Sequence, residues 1–233
     1  MVWQLCRLGF KEKININHMP SIYDIPFWSN RFYDHKARWL HYYNQVREVA
    51  RQIRARKGDI ENFRVLEVGP SHGFVADYLK KFGTNVTTID NKKEYKPDVL
   101  GTVLDMPFKP NTFDMVIICE VLEHMPYRDF PTALKELHRV TRGSVLLSVP
   151  DVRRIVFSLD LKLPFLKPIR ALVRIPTFKT HVCPVPGGHQ WEIGKKGYSL
   201  GVIRKTIKDA GFSIKDDKVF IDTPKNHYFI LKK

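Results

Sequence analysis

An apolar strand that runs into a glycine turn, followed one βα unit later by a strand closing on an acid, leaves few folds open. Residues 64–73 read RVLEVGPSHG, with Val65, Leu66 and Val68 in the strand and Gly69, Ser71 and Gly73 in the turn. An amphipathic helix, FVADYLKKFG, comes next, and a second strand, NVTTID, ends at Asp90. Small residues in such a turn let backbone approach a ligand closely. An acid about 20 residues further on is placed to hydrogen-bond ribose hydroxyls. The pattern predicts a nucleoside-containing ligand on a doubly wound α/β sheet.

The alternation continues. Strands are expected at 63–68, 85–90, 99–103, 113–118 and 144–149, with helices near 73–82 and 128–139. Such an order implies a mostly parallel sheet covered on both faces. Residues 91–98 are too few for a crossover helix, so that link should be short or irregular. Residues 198–210 read as a helix stopped by Gly211. Two strands follow, at 212–221 and 226–232, joined around Thr223-Pro224-Lys225, and so short a link makes them antiparallel. The expected fold is thus a Rossmann-like, doubly wound, seven-stranded mixed sheet with a C-terminal antiparallel hairpin. Residues 1–60 form an N-terminal arm and helix, and 61–233 the main domain, with an insertion at 151–188 after the fifth strand.

The arm, 1–35, is irregular and rich in aromatics such as Tyr23, Phe27 and Trp28. Over 36–57 the apolar positions Leu40, Tyr43, Val46, Ala50 and Ile53 recur at helical spacing. Arg47, Arg51 and Arg54 share another face, either the wet side of a packed helix or a stripe facing phosphate.

Charge is unevenly spread. The net +15 divides into +6 over 1–60, −1 over 61–150, +5 over 151–188 and +5 over 189–233. The core is neutral and its surroundings are basic, which suits an anionic substrate, a nucleic acid or a membrane surface, or simply keeps the chain soluble. Cys6, Cys119 and Cys183 are scattered and form no C-x-x-C pair, as in a chain kept reduced in the cytoplasm. No apolar run approaches the roughly 18 residues a membrane span requires. The first 14 residues do not read as a signal peptide.

Four elements fall at the carboxyl ends of strands or in the loops after them, where open α/β sheets bind ligands. They are the turn with Glu67, Gly69, Pro70, Ser71 and Gly73; Asp90 with Asn91; Asp105-Met106-Pro107-Phe108; and FDMVIICEVLEHMP, a strand ending at Cys119-Glu120 with His124 just beyond. This set resembles the class I S-adenosylmethionine (SAM)-dependent methyltransferases, in particular the methyltransferase type 11 group, over roughly 63–150. That group's turn reads acid-x-Gly-x-Gly-x-Gly, and here Ser71 replaces the middle glycine. The resemblance implies SAM as cofactor. It places Asp90 on the ribose hydroxyls, Asp105 and Met106 at the adenine, and the Cys119-Glu120 backbone beside the methionine part. An ionised acid at position 90 accepts hydrogen bonds from paired hydroxyls and repels a 2′-phosphate. NAD is the rival ligand for this architecture; a dinucleotide fold would continue in parallel strands, whereas this chain ends in an antiparallel pair.

Methyl transfer from a sulfonium needs alignment and, for an oxygen or nitrogen nucleophile, a proton acceptor. His124 is the first candidate base, with a structural role as the alternative. His189 and Glu192, in GGHQWEIGKKGYS, are the second, with Trp191 beside them to stack on substrate or anchor the loop. No metal is expected, because only His181, Cys183 and His189 lie near one another in sequence and their spacing fits no zinc pattern. The insertion mixes Arg153, Arg154, Lys162, Lys167, Arg170 and Arg174 with large aliphatics, Phe157 and Phe165. Such a segment can lie on an anionic bilayer or cover an apolar substrate. The expected reaction is methyl transfer to a small-molecule, glycan or lipid-linked acceptor, in the cytoplasm or at a membrane periphery. An RNA methyltransferase, or a SAM-binding protein without catalysis, are the alternatives.

Overall fold

The computed structural model describes residues 36–233 apart from 57, 178 and 183–186. The aromatic arm, Cys6 and Cys183 therefore lie outside the described residues. The elements run α1 (Lys36–Ala55), β1 (Arg64–Val68), α2 (Phe74–Lys81), β2 (Asn85–Asp90), β3 (Val99–Leu100), β4 (Phe113–Cys119), α3 (Phe130–Val140), β5 (Thr141–Pro150), β6 (Arg154–Leu161), β7 (Ile169–Ile175), α4 (Leu200–Asp209), β8 (Ser213–Phe220) and β9 (Thr223–Lys232).

Seven strands form one sheet in the order β3-β2-β1-β4-β5-β9-β8. The first five are parallel; β9 inserts antiparallel between β5 and β8. Both faces are covered, because successive residues of a strand point to opposite sides. Val65, Met115 and Ile117 therefore pack under α1 and α2, while Leu66, Val116 and Ile118 pack with Phe130, Leu134 and Leu137 of α3. The α3 contacts recur at i, i+4 and i+7, one helical face. Each such side chain contributes about 2 kcal/mol by leaving water.

Several expectations are corrected. The third strand was read over 99–103, but only Val99 and Leu100 pair with β2, and Thr102 turns back to bridge Asp105. The link before it is short as expected, a single 3-10 turn at Lys93–Tyr95. The last hairpin turns at residues 221–222, and Thr223-Pro224-Lys225 begin β9. Proline is tolerated there because a strand's first residues need no ladder N–H. Helix α1 packs Val46 and Ile53 on the core as its apolar spacing predicted, but it turns Tyr43 outward and a row of polar residues inward. Tyr43 is 58% exposed, while His41, Asn44, Gln45, Glu48 and Gln52 are turned inward. These polar groups find partners: His41 Nδ1 meets the Tyr228 hydroxyl at 2.6 Å, and Gln52 bonds both Glu48 and Lys232. Burial, with the Arg38 charge adding, lowers His41 to about 3, so its ring is neutral. In the arginine row, Arg51 is held by Glu48 and Arg47 lies over the Phe220 ring. Those two serve packing.

The insertion is a separate two-stranded ribbon, β6 paired antiparallel with β7. It is tied to the main sheet through Asp151, fully buried just past β5. Arg174 of β7 pairs with this carboxylate at 2.6 Å, Arg153 at 2.7 Å and His227 of β9 at 3.1 Å. Arg174 also donates to the carbonyl oxygens of Asp151 and Pro224. Burial alone would raise the Asp151 carboxyl, but the hydrogen bonds and positive charges outweigh it and hold it at about 2.

Because its unfolded value is about 3.9, Asp151 stabilises the fold fully above that pH and loses the contribution as pH falls towards 2. Asp151→Asn removes this acid dependence and strands the Arg174 charge, whose side chain is 6% exposed. We expect a loss of about 3–5 kcal/mol at neutral pH, measured by urea unfolding; an unchanged midpoint would refute the anchor.

Candidate active site at the carboxyl edge of the sheet

The glycine turn leaves β1 at the carboxyl edge. Gly69 has φ +69° and Gly73 +75°, left-handed values where side chains are strained, and a Cβ on Gly69 would run into the Val121 side chain. Ser71 takes the same region at φ 52° and stays exposed. Pro70 is half-buried, and its carbonyl accepts from Gly73 N–H. Glu67 is buried beneath the turn with Oε2 unpartnered, and burial raises its carboxyl to about 8. A cleft lined by Glu67, Gly69, Pro70, Ser71 and Cys119 opens towards α1, where Arg38 and His41 close its far wall.

Asp90 ends β2 half-buried, and its Oδ1 accepts from Lys92 N–H at 2.9 Å. That bond fixes the rotamer and leaves Oδ2 for a ligand. Asn91, next in the chain, and Asp105 are exposed. Met106, expected with Asp105 at the adenine, is committed elsewhere. Its side chain is in the core, its N–H donates to Glu136 at 2.9 Å and its carbonyl accepts from Arg139. Cys119 and Glu120 end β4. Burial pushes the Cys119 thiol well up, which leaves it a poor nucleophile. Glu120 sits at φ 57° and accepts from Ser148 Oγ at 2.8 Å; burial raises its carboxyl.

A 3-10 turn, Leu122–His124, follows. The loop before α4 is laid against it: Gln190 N–H donates to Glu123 O at 2.6 Å, its side chain to His124 O at 3.0 Å, and the Trp191 indole to Leu122 O at 3.1 Å. Trp191 is fully buried against Tyr127 and Phe130, so it anchors the loop and does not face substrate. This docking brings His124 and His189 together, with ring centres 5.0 Å apart. His189 Nδ1 lies 2.9 Å from Glu192 Oε1, and His181 Nδ1 is 3.5 Å from the other oxygen. His124 Nδ1 lies 2.9 Å from Gly187 O, and burial lowers its pKa, so it is neutral.

Glu123 was missed in the sequence. Its carboxylate is fully buried, neither oxygen has a hydrogen-bond partner, and burial followed by the Glu120 charge pushes it well above the usual carboxylate range. The one available signal was an acid inside the apolar run VLEHM.

A profile described as a methyltransferase domain matches residues 66–149, from β1 to β5. An uncharacterized protein of Methanocaldococcus jannaschii is 30% identical over 99 residues, 40% of this chain and 43% of that protein. The ubiquinone biosynthesis O-methyltransferase of Rickettsia typhi is 30% identical over 101 residues, 37% of this chain and 41% of that protein. The chain thus spans about two-fifths of the length of the curated relatives it matches. Among solved structures, the magnesium protoporphyrin IX methyltransferase of Synechocystis PCC 6803 with bound SAH superposes with a TM-score of 0.57. That match covers 88% of this chain and 92% of that one at 15% identity, a likeness of fold. Matched domain, strand order and glycine turn agree: over residues 66–149 the chain is similar to a methyltransferase domain, and its sheet has the fold of a SAM-dependent methyltransferase.

Proposed function

We propose that the protein transfers a methyl group from SAM to a small-molecule, glycan or lipid-linked acceptor, and that a lipid-linked acceptor at an anionic membrane surface is the one it serves. Bound SAM supplies a methyl group activated on a sulfonium sulfur. The chain's own residues supply position. Gly69 and Gly73 keep side chains out of the ligand's path, and Asp90, with Oδ1 on Lys92 N–H, has Oδ2 to accept from ribose hydroxyls. The orphaned Glu67 oxygen suits an amino group. Alignment of this kind lowers a barrier by up to about 7–11 kcal/mol. On the acceptor side stand His124 and His189. A carbonyl oxygen and a carboxylate can only accept, so each ring carries its proton on Nδ1 and turns a bare Nε2 inward. That is the form able to take the acceptor's proton.

The observation that carries the acceptor class is the β6–β7 ribbon. Its register puts Leu161 opposite Ile169, Leu159 opposite Ala171 and Phe157 opposite Val173, one continuous apolar face. Phe157, Ile169 and Val173 are each about half exposed. At the tip, Leu163, Phe165 and Leu166 stand in the open between Lys162 and Lys167, with the Phe165 ring wholly exposed. A lone two-stranded hairpin is marginal in water, and an apolar tip collared by lysines matches the acyl and anionic layers of a bilayer surface. The ribbon springs from the end of β5, and the chain returns from it directly into the loop bearing His189. No helix among the described residues is long and apolar enough to cross a membrane.

Calorimetry should show SAM binding that Asp90→Ala weakens by roughly 10–100-fold, the loss of charge-assisted hydrogen bonds; no binding to the intact protein would overturn the donor assignment. The protein should sediment with phosphatidylglycerol vesicles, release in high salt, and ignore phosphatidylcholine vesicles. Phe157→Asp with Phe165→Asp should abolish sedimentation while SAM affinity holds. With methyl-labelled SAM and fractionated extract, label belongs in the lipid fraction; label confined to RNA, glycan or water-soluble metabolites would refute the lipid acceptor.

A further inference from the structure

We propose that Glu123, His124 and His189 form a binding site for one divalent first-row cation, Zn²⁺ or Mn²⁺. The site deepens the methyltransferase reading and rests on it for the reaction, though not for the binding. Its three donor atoms converge: Glu123 Oε1 lies 4.0 Å from His124 Nε2 and 3.9 Å from His189 Nε2, and all three are within 4.8 Å of one another. Ligands at about 2.0–2.2 Å from a tetrahedral zinc stand roughly 3.4 Å apart. The two carboxylate–imidazole pairs would close by about half an ångström each, and the two imidazoles by no more than about 1.4 Å.

Two features mark the cluster as built for a cation. Each imidazole is oriented from behind by a bond at Nδ1, His189 to the Glu192 carboxylate and His124 to the Gly187 carbonyl. This is how metal-bound histidines are held by outer partners that fix the tautomer. Between the two bare Nε2 atoms stands a fully buried carboxylate with no hydrogen-bond donor on either oxygen. Two lone pairs and an acid facing one another leave polar groups unsatisfied at a cost of about 1–3 kcal/mol each; a cation satisfies all three at once. One oxygen and two nitrogens suit a borderline cation and leave coordination positions open, as catalytic sites require.

Glu120, whose charge acts on Glu123, lies near the cluster, and the acceptor class such a cation would activate is a hydroxyl compound. With a cation bound both Nε2 atoms would be ligands, so neither ring would take the proton as it does in the metal-free site; the cation would draw electron density from the hydroxyl oxygen and the O–H proton would pass to water. The oxygen pair forms the bond to the methyl carbon, the C–S bond breaks and its electrons stay on sulfur, which leaves as a neutral thioether.

The test is equilibrium dialysis of chelator-stripped full-length protein against Zn²⁺ and Mn²⁺, with elemental analysis, and with Mn²⁺ electron paramagnetic resonance as second readout. The intact chain should bind about one cation and rise in melting temperature with metal concentration. Glu123→Gln should abolish binding. Glu192→Gln, acting through the His189 tautomer, should weaken it at least about 10-fold. His124→Asn, at an exposed position, repeats the test should the buried variant fail to fold. No stoichiometric binding, or binding equal in intact protein and these variants, would overturn the site. SAM affinity of the stripped protein, measured separately, shows whether the methyltransferase reading stands on its own.

Discussion

The docking of the 187–194 loop onto the turn after β4 is the contact on which the acceptor half of the site depends. Gln190 ties the loop by main-chain and side-chain hydrogen bonds, and Trp191 drives its indole between α3 and the turn. Burying an indole offsets the cost of closing a long loop and of enclosing the Glu123 carboxylate without a donor. Once the loop is down, His189 has one place to be. Asp151 sets the other end of the same arrangement, holding β5, β7 and β9 to one buried charge, while a bridge from Asp151 to Ile193 leads the chain back into the loop.

The carboxyl edge thus has two sides of different construction. The donor side is made of strand ends and the turns that follow them, and its donors and acceptors are mostly main chain or short side chains. The acceptor side is made of segments far apart in the chain, held by tertiary hydrogen bonds. Beyond it the β6–β7 ribbon contributes apolar surface in place of chemistry. In the proposed function this division keeps donor binding constant while insertion and loop choose the acceptor.

Legibility followed this division. Strands β1, β2, β4 and β5 were readable because each is a run of apolar residues bounded by turn formers. Helix α1 was legible in part, at Val46 and Ile53, because helical spacing identifies an apolar stripe without saying what lies opposite it. Facing the Tyr228 hydroxyl and Lys232, the side carrying His41, Glu48 and Gln52 packs better than the side carrying Tyr43. The resemblance implied Met106 beside the adenine, but Glu136 of α3 takes its N–H, a competition invisible in the local chain. The ribbon was not read as strands because its basic and apolar residues interleave without a strict alternation, and Pro164, Pro168 and Pro176 lie just outside the paired residues.

By itself the sequence determined the alternating strands and helices, the antiparallel ending and the glycine turn after β1, since periodicity and glycine conformation act over a few residues of contiguous chain. Tertiary structure alone decided that Trp191 is an anchor, that Glu123 is buried without a partner, and that His124 and His189 share one space. Those are properties of what surrounds a side chain, and here the surroundings arrive from the far end of the fold.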